Sequence, residues 1–330
     1  MSRRRHADSD DSVNSMRMLR HVRRATLAVA VCFAGVCPIA GCGSSDPFGT
    51  SSGNINSIVV GSADFPESQI VAEIYAQALQ ANGFDIGRRM GIGSRETYVP
   101  ALKDHSIDLV PEYIGNLLLY FEPQATATLL DAVELELYRR LPGDLSILTP
   151  SPASDTDTVT VTSATAGRWQ LRTIADLAAH SAEVKFAAPS AFQTRPSGLS
   201  GLLRKYGLDI ASGNFVSIND GGGAVTVRAL LDGTVTAADI FSTSPAIRQH
   251  QLVVLADPEH NFLAGNIVPL VNSQKKSDRL KDVLDAVSAK LTTDGVAELN
   301  AAVSGNGGVD PDEAAQKWVR DNGFDRPIKP

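Results

Sequence analysis

The sequence predicts an α/β protein built as two doubly wound lobes facing a shared cleft, and three observations carry that prediction. Short apolar runs alternate with amphipathic stretches in two successive blocks, the pattern of repeated α/β units. The chain has 330 residues, 43% of them apolar, which is enough for two moderate cores. The stretch Ala101 to Phe121, ALKDHSIDLVPEYIGNLLLYF, is echoed by Ala229 to Phe241, ALLDGTVTAADIF. In both, Ala-Leu is followed by an Asp (Asp104, Asp232), and twelve residues after the Ala comes an aromatic ring (Tyr113, Phe241). Each copy reads as helix, turn and strand, with its ring near the strand's carboxyl end, where open α/β sheets bind ligands. Rings buried in a core would show the same spacing, so periodicity leaves both readings open.

Taken in order, the chain begins with a polar stretch to Met16, then Arg17, Arg20, His21, Arg23 and Arg24, then an apolar run from Ala25 to Ala40. Basic, apolar, small is the order of a secretion signal, and the run is short and interrupted by Pro38, which disfavours a membrane span. Ile39-Ala40-Gly41-Cys42 resembles the lipobox of bacterial lipoproteins, so residues 1–41 are expected to be removed and Cys42 to carry lipid. The other cysteines, Cys32 and Cys37, leave with the leader, so neither an internal disulfide nor a cysteine metal site is expected. Residues 42–56, rich in Gly, Ser and Asn, read as a flexible tether spanning roughly 20 Å. The leader holds seven Arg and three Asp, so its loss takes the net charge from −7 to about −11, and an acidic body without a basic stripe argues against nucleic acid.

The body opens with an apolar strand at Ser57 to Gly61 and a helix carrying Ile70, Val71, Ile74, Ala78 and Leu79 on one face, stopped by Asn82-Gly83. A strand is expected at Asp85 to Ile92, a helix at Ser94 to Lys103 and a strand at Ile107 to Val110. Pro111 should close that strand and open a helix from Glu112 to Phe121. A helix at Asp131 to Leu141 follows, and a polar Pro/Ser/Asp loop then leads into Val159 and Val161. Thr173-Ile-Ala-Asp176 reads as a capping-box variant. Strands follow at Val184 to Ala188, Phe215 to Ile218, a segment ending at Phe241, Leu252 to Leu255 and Ile267 to Val271, with a helix at Val225 to Leu231. Helices at Asp278 to Leu291, Gly295 to Val303 and Pro311 to Asn322 end the chain. The expected lobes are residues 57–158 with 264–330, and residues 159–263.

Enzyme signatures are absent from the body: no Gly-x-Ser-x-Gly, His-Glu-x-x-His or Gly-Lys-Ser/Thr occurs from Ser57 onward. The histidines of the body, His105, His180, His250 and His260, are not at metal-ligand spacing. Gly221 to Gly223 before a helix suits either an anion or a tight turn. Arg195, just past the strand ending near Ala188, can hold a carboxylate with two parallel hydrogen bonds or form a rim salt bridge.

GSADFPES, ALKDHSIDLVPEYIGN, AFQTRPSG and the segment ending DIFSTS resemble, in order and spacing, the substrate-binding lipoproteins of osmoprotectant ABC importers, the glycine betaine/carnitine/choline-binding (ProX or OpuAC-like) family. The resemblance covers about Ser57 to Phe324. It implies a type II periplasmic-binding-protein fold, two lobes joined by two crossovers and closing on ligand by hinge motion. It also implies a non-enzymatic, monomeric receptor without cofactor or metal, lipid-anchored outside the cytoplasm and partnered by permease subunits. In that family an aromatic cage surrounds a quaternary ammonium. Tyr113 and Phe241 match two cage rings, while Asp157 and Gly265 stand where two others are expected. Ala63, beside Asp64, replaces a Lys or Gln, Asn116 replaces a Thr, and Arg195 matches. The implied ligand site is Ala63, Asp64, Tyr113, Asn116, Asp157, Arg195, Phe241 and Gly265. Small Ala63 and Gly265 with polar Asp157 and Asn116 suggest a wider, more polar pocket. The expected ligand is glycine betaine, carnitine or choline. The alternative is a larger hydroxylated or planar uncharged compound. Rival classes, an enzyme reusing the fold or a cell-envelope interaction protein, would be revealed by turnover or by indifference to small molecules.

Overall fold

The structure, a computed structural model, describes residues 55–304 and 307–328. The leader, Cys42 and nearly all of the tether lie outside the described residues. Ten strands form two five-stranded sheets: β1 (Ser57–Gly61), β2 (Asp85–Arg89), β3 (Leu109–Tyr113), β4 (Leu145–Ile147) and β10 (Ile267–Asn272) make the first. The second comprises β5 (Val159–Val161), β6 (Phe186–Ala188), β7 (Phe215–Ser217), β8 (Ala237–Asp239) and β9 (Val253–Val254). The strand orders are β2-β1-β3-β10-β4 and β7-β6-β8-β5-β9.

Both sheets follow one plan. Three parallel strands come first, and the fourth runs antiparallel to its neighbours. That fourth strand is β10 in the first sheet and β5 in the second, so the strand entering the second sheet and the strand returning to the first hold equivalent places. The sheets are therefore mixed, because the chain crosses between β4 and β5 and returns between β9 and β10.

Helices cover both faces of each sheet, and each face carries its own apolar cluster. The helix Pro66–Ala81 buries Ile70, Val71, Ile74, Ala78 and Leu79, the residues its periodicity marks. The C-terminal helices Asp278–Ser288, Thr293–Val303 and Pro311–Asp321 pack on the same face of the first sheet, through Leu284, Val296 and Val319 among others. In the second lobe Thr173 and Asp176 form a reciprocal capping box at the helix Ile174–Ala178.

Several boundaries differ from the sequence reading. β3 continues through Pro111 and Glu112 to Tyr113, and its helix is Ile114–Phe121. Pro111 pairs opposite Pro269 of β10. The N–H groups of Ile114 and Asn272 donate to Asn266 and Asp108, which puts the two prolines at a position where an antiparallel pair exchanges no hydrogen bond. Neither proline breaks the ladder. β4, three residues long, has too little sequence pattern to be read in advance, β2 and β9 are shorter than the expected Asp85 to Ile92 and Leu252 to Leu255, and β8 ends at Asp239, before Phe241. The expected repeat is present in hydrogen bonds. Asp104 and Asp232 each cap a helix end, and each accepts the N–H two residues on, from Ser106 and Thr234. The strands that follow, β3 and β8, are the central strands of their sheets.

Candidate ligand-binding cleft

The carboxyl ends of β3 and β8 bring the chemistry of each lobe toward the crossovers. Tyr113 ends β3, and Phe241 lies two residues past β8 with 38% of its surface exposed. Tyr113 is buried, and its hydroxyl donates to Glu67 Oε1 at 2.7 Å. Burial first, and then the charges of Glu67 and Asp155, push this phenol well above its ordinary value, so it stays neutral. Glu67 lies in the first turn of the helix Pro66–Ala81, where the helix dipole favours a negative charge. Phe65, at the start of that helix, holds its exposed ring 6.0 Å from Tyr113.

Glu112 belongs to the framework instead. It is fully buried and accepts from Arg95 at 2.6 and 2.9 Å, from the Tyr98 hydroxyl at 2.7 Å and from the Tyr113 N–H at 2.8 Å. Burial works against the Arg95 charge, yet Glu112 overrides it and raises the guanidinium above its usual range. The Pro-Glu-Tyr motif thus sets one ring at the end of β3 beside Phe65 and one carboxylate in the core.

Arg195, after β6, donates to Asp157 Oδ1 at 3.2 Å and lies 3.8 Å from Asp239 Oδ2. Its guanidinium also stacks over Phe192 at 5.0 Å. One cation therefore faces two carboxylates. Burial, and next the charge of Asp157, hold Asp239 well above the carboxylate range, against the pull of Arg195. Asp239 Oδ1 and Arg195 Nε have no hydrogen-bond partner among the described residues. Along the first crossover, Asp155 accepts from the Thr243 hydroxyl at 2.7 Å and from its N–H at 3.3 Å. Desolvation and the nearby Glu67 push Asp155 up to about 8 in spite of those bonds.

The remaining expected residues are placed differently from one another. Asn116 is exposed in the first turn of the helix Ile114–Phe121, and Asp64 is exposed just before the helix Pro66–Ala81. Ala63 is buried, packs with the core under the helices Arg95–Lys103, Ile114–Phe121 and Leu130–Arg140 of the first sheet, and donates its N–H to Ser68 Oγ at 3.0 Å. Gly265 does not widen a pocket. A Cβ there would lie 1.9 Å from the Asp155 carbonyl oxygen, and the two residues are joined by an N–H to O bond of 2.9 Å. The close approach of two crossover backbones requires glycine at this place, so no cage ring can stand there, and the expectation that Ala63 and Gly265 enlarge the cleft is corrected. Asp157 also lines a cleft of about 410 Å³ along the crossovers, with Thr156, Ser242, Phe262 and Leu263. The Gly221 to Gly223 run is a turn whose following helix is capped by Asp220, which takes the N–H groups of Val225 and Thr226. Phe65, Glu67, Asp155, Asp239 and Asn300 were not singled out from the sequence. Phe65 and Glu67 stand within the quoted GSADFPES, and Asp239 within the segment that repeats IDLVPEY, so for these three a signal was present.

Comparison with known proteins gives this cleft a context. The family model described as OpuAC, substrate binding domain of ABC-type glycine betaine transport system, matches residues 56–321. The glycine betaine-binding protein YehZ of Escherichia coli is 26% identical over 81% of this chain and 91% of its own length. A solved structure of apo YehZ superimposes with a TM-score of 0.67 over 81% of this chain and 99% of that one. A glycine-betaine-binding protein of Pseudomonas aeruginosa is 25% identical over 74% of this chain and 81% of its own. The fold is also that of a crystallised glycine betaine/carnitine/choline ABC transporter protein, with a TM-score of 0.73, 20% identity and coverage of 81% and 99%. With two mixed five-stranded sheets in type II periplasmic-binding-protein order, and a family match spanning both, the chain belongs to the substrate-binding domains of ABC-type glycine betaine transport systems.

Proposed function

We propose that this protein is the extracytoplasmic receptor of an ABC importer and captures a small quaternary ammonium solute of the glycine betaine, carnitine and choline class between its lobes. The observation that carries the reading is the pairing of Tyr113 with buried Glu67. A phenol that donates to a carboxylate has a more electron-rich ring, and such a ring attracts a cation that has no hydrogen bonds to donate. Phe65 beside Tyr113, and Phe241 at the end of the other central strand, supply further ring surface in place of the rings absent at Asp157 and Gly265. The Glu67 carboxylate behind Tyr113 suits a cationic head, and Asp157, paired with Arg195, makes a ligand carboxylate compete for that guanidinium. The names of the relatives favour this class over a planar uncharged compound. The cleft works by binding and release and passes its solute to permease subunits without chemical change.

Titration calorimetry of the purified protein with choline, carnitine and glycine betaine tests the ligand class. Binding is expected, and Tyr113→Ala should weaken it by about 5- to 30-fold, the equivalent of about 1–2 kcal/mol per lost cation–π contact. Failure of all three to bind, or an unchanged affinity in Tyr113→Ala, counts against the reading. The lipobox-like sequence before Cys42 supports anchoring to the membrane through lipid on that residue. Metabolic labelling with a radioactive fatty acid should mark the protein and be lost in Cys42→Ala; label that persists in the variant rejects the anchor.

A further inference from the structure

Asn300 lies on the helix Thr293–Val303, whose Val296 and Leu299 are buried in the core of the first lobe. Its side-chain amide reaches two acceptors on different parts of the molecule. One is Glu67 Oε2 at 2.5 Å, and the other is the main-chain carbonyl of Thr243 at 3.3 Å, four residues past β8 in the second lobe. Both partners only accept, so the NH2 group, with its two hydrogens, must face them. Glu67 spends its other oxygen on the Tyr113 hydroxyl. Thr243 is itself tied to Asp155 on the crossover. A continuous chain thus runs from the second lobe through one amide and one carboxylate to the ring of Tyr113.

We propose that Asn300 is a positioning residue that couples lobe closure to the presentation of Tyr113; this rests on reading Tyr113 as a ligand-binding ring. A solute stacked on Tyr113 fixes Glu67 and with it the amide that the second lobe meets on closing, and by reciprocity closure holds the ring for the solute. A neutral amide suits the place, because a carboxylate there would face the Glu67 carboxylate and the Thr243 carbonyl oxygen. The pair Arg248 to Glu298, at 2.8 Å, joins the same helix to the second lobe, but it is exposed and screened by solvent.

The test compares wild type, Asn300→Ala, Asn300→Asp, Tyr113→Phe and the Asn300→Ala/Tyr113→Phe double variant. Choline and glycine betaine serve as probes, read by stopped-flow kinetics and small-angle scattering. Asn300→Ala should weaken affinity roughly three- to tenfold, the effect of one hydrogen bond, with the change in the dissociation rate and a more open scattering profile. Asn300→Asp should be worse. The Ala and Phe substitutions should combine less than additively, since both act through Glu67. Unchanged dissociation rate and scattering in Asn300→Ala, even with a lowered melting temperature, overturns the proposal, as does full additivity with Tyr113→Phe. If wild type binds neither probe, the ligand reading fails by itself. Ligand-free scattering then decides the latch: a more open Asn300→Ala supports it, and coincident profiles reject it.

Discussion

Asp155 is held between Thr243, which stabilises its charged form with two hydrogen bonds, and burial beside Glu67, which opposes that form more strongly. Its carboxyl is raised to about 8 in the folded protein, against roughly 3.9 in an unfolded chain. Between those values the native state binds more protons than the unfolded state, so this group's contribution is full at low pH and is lost as pH rises toward 8. Asp155→Asn removes the titration. Urea unfolding at pH 5 and pH 9 should show the variant gaining on wild type by at least about 1 kcal/mol at the higher pH. A difference between the two proteins that is flat or of opposite sign would count against the assignment. Gly265 is the complementary lesson at this scale. In the sequence it stands where an aromatic ring is expected and reads as missing bulk, whereas a Cβ there would lie 1.9 Å from the Asp155 carbonyl oxygen, which leaves room for hydrogen alone.

The strand β3 and the helix Arg95–Lys103 show how one element serves two ends. Glu112, in the middle of the motif, faces Arg95 and Tyr98 of that helix, while Tyr113, next along the strand, turns its ring toward the helix Pro66–Ala81. Successive strand residues point to opposite faces, so Glu112 serves the framework on one face and Tyr113 meets Glu67 on the other. Arg95→Ala leaves a fully buried carboxylate without its strongest partner. It should cost about 3–5 kcal/mol in denaturant unfolding, and adding Glu112→Leu should recover part of the loss. If the single and double variants are equally unstable, packing of the Arg95 stem outweighs the ion pair. The short register of Pro111 against Pro269 could not be read from β3 alone, because it depends on a partner strand more than 150 residues later.

At the scale of the molecule, two lobes with one topology exchange their antiparallel strands, and the crossovers this creates carry Asp155, Asp157 and Gly265. Alternation of apolar runs with amphipathic stretches determined the α/β class. The matching Asp and aromatic offsets at Ala101 and Ala229 determined that β3 and β8 are equivalent, because turns and strand ends are set by residues close in sequence. The places of Tyr113, Arg195 and Phe241 at strand ends were legible for the same reason. What the tertiary structure alone decided is which groups those residues meet. Arg195 finds Asp157 and Asp239, Glu112 is withdrawn into the core by Arg95, and Glu67 binds both the Tyr113 hydroxyl and Asn300, 233 positions away. A local pattern records propensity and periodicity, but the charge and shape of a cleft are sums over partners that only the folded chain brings together.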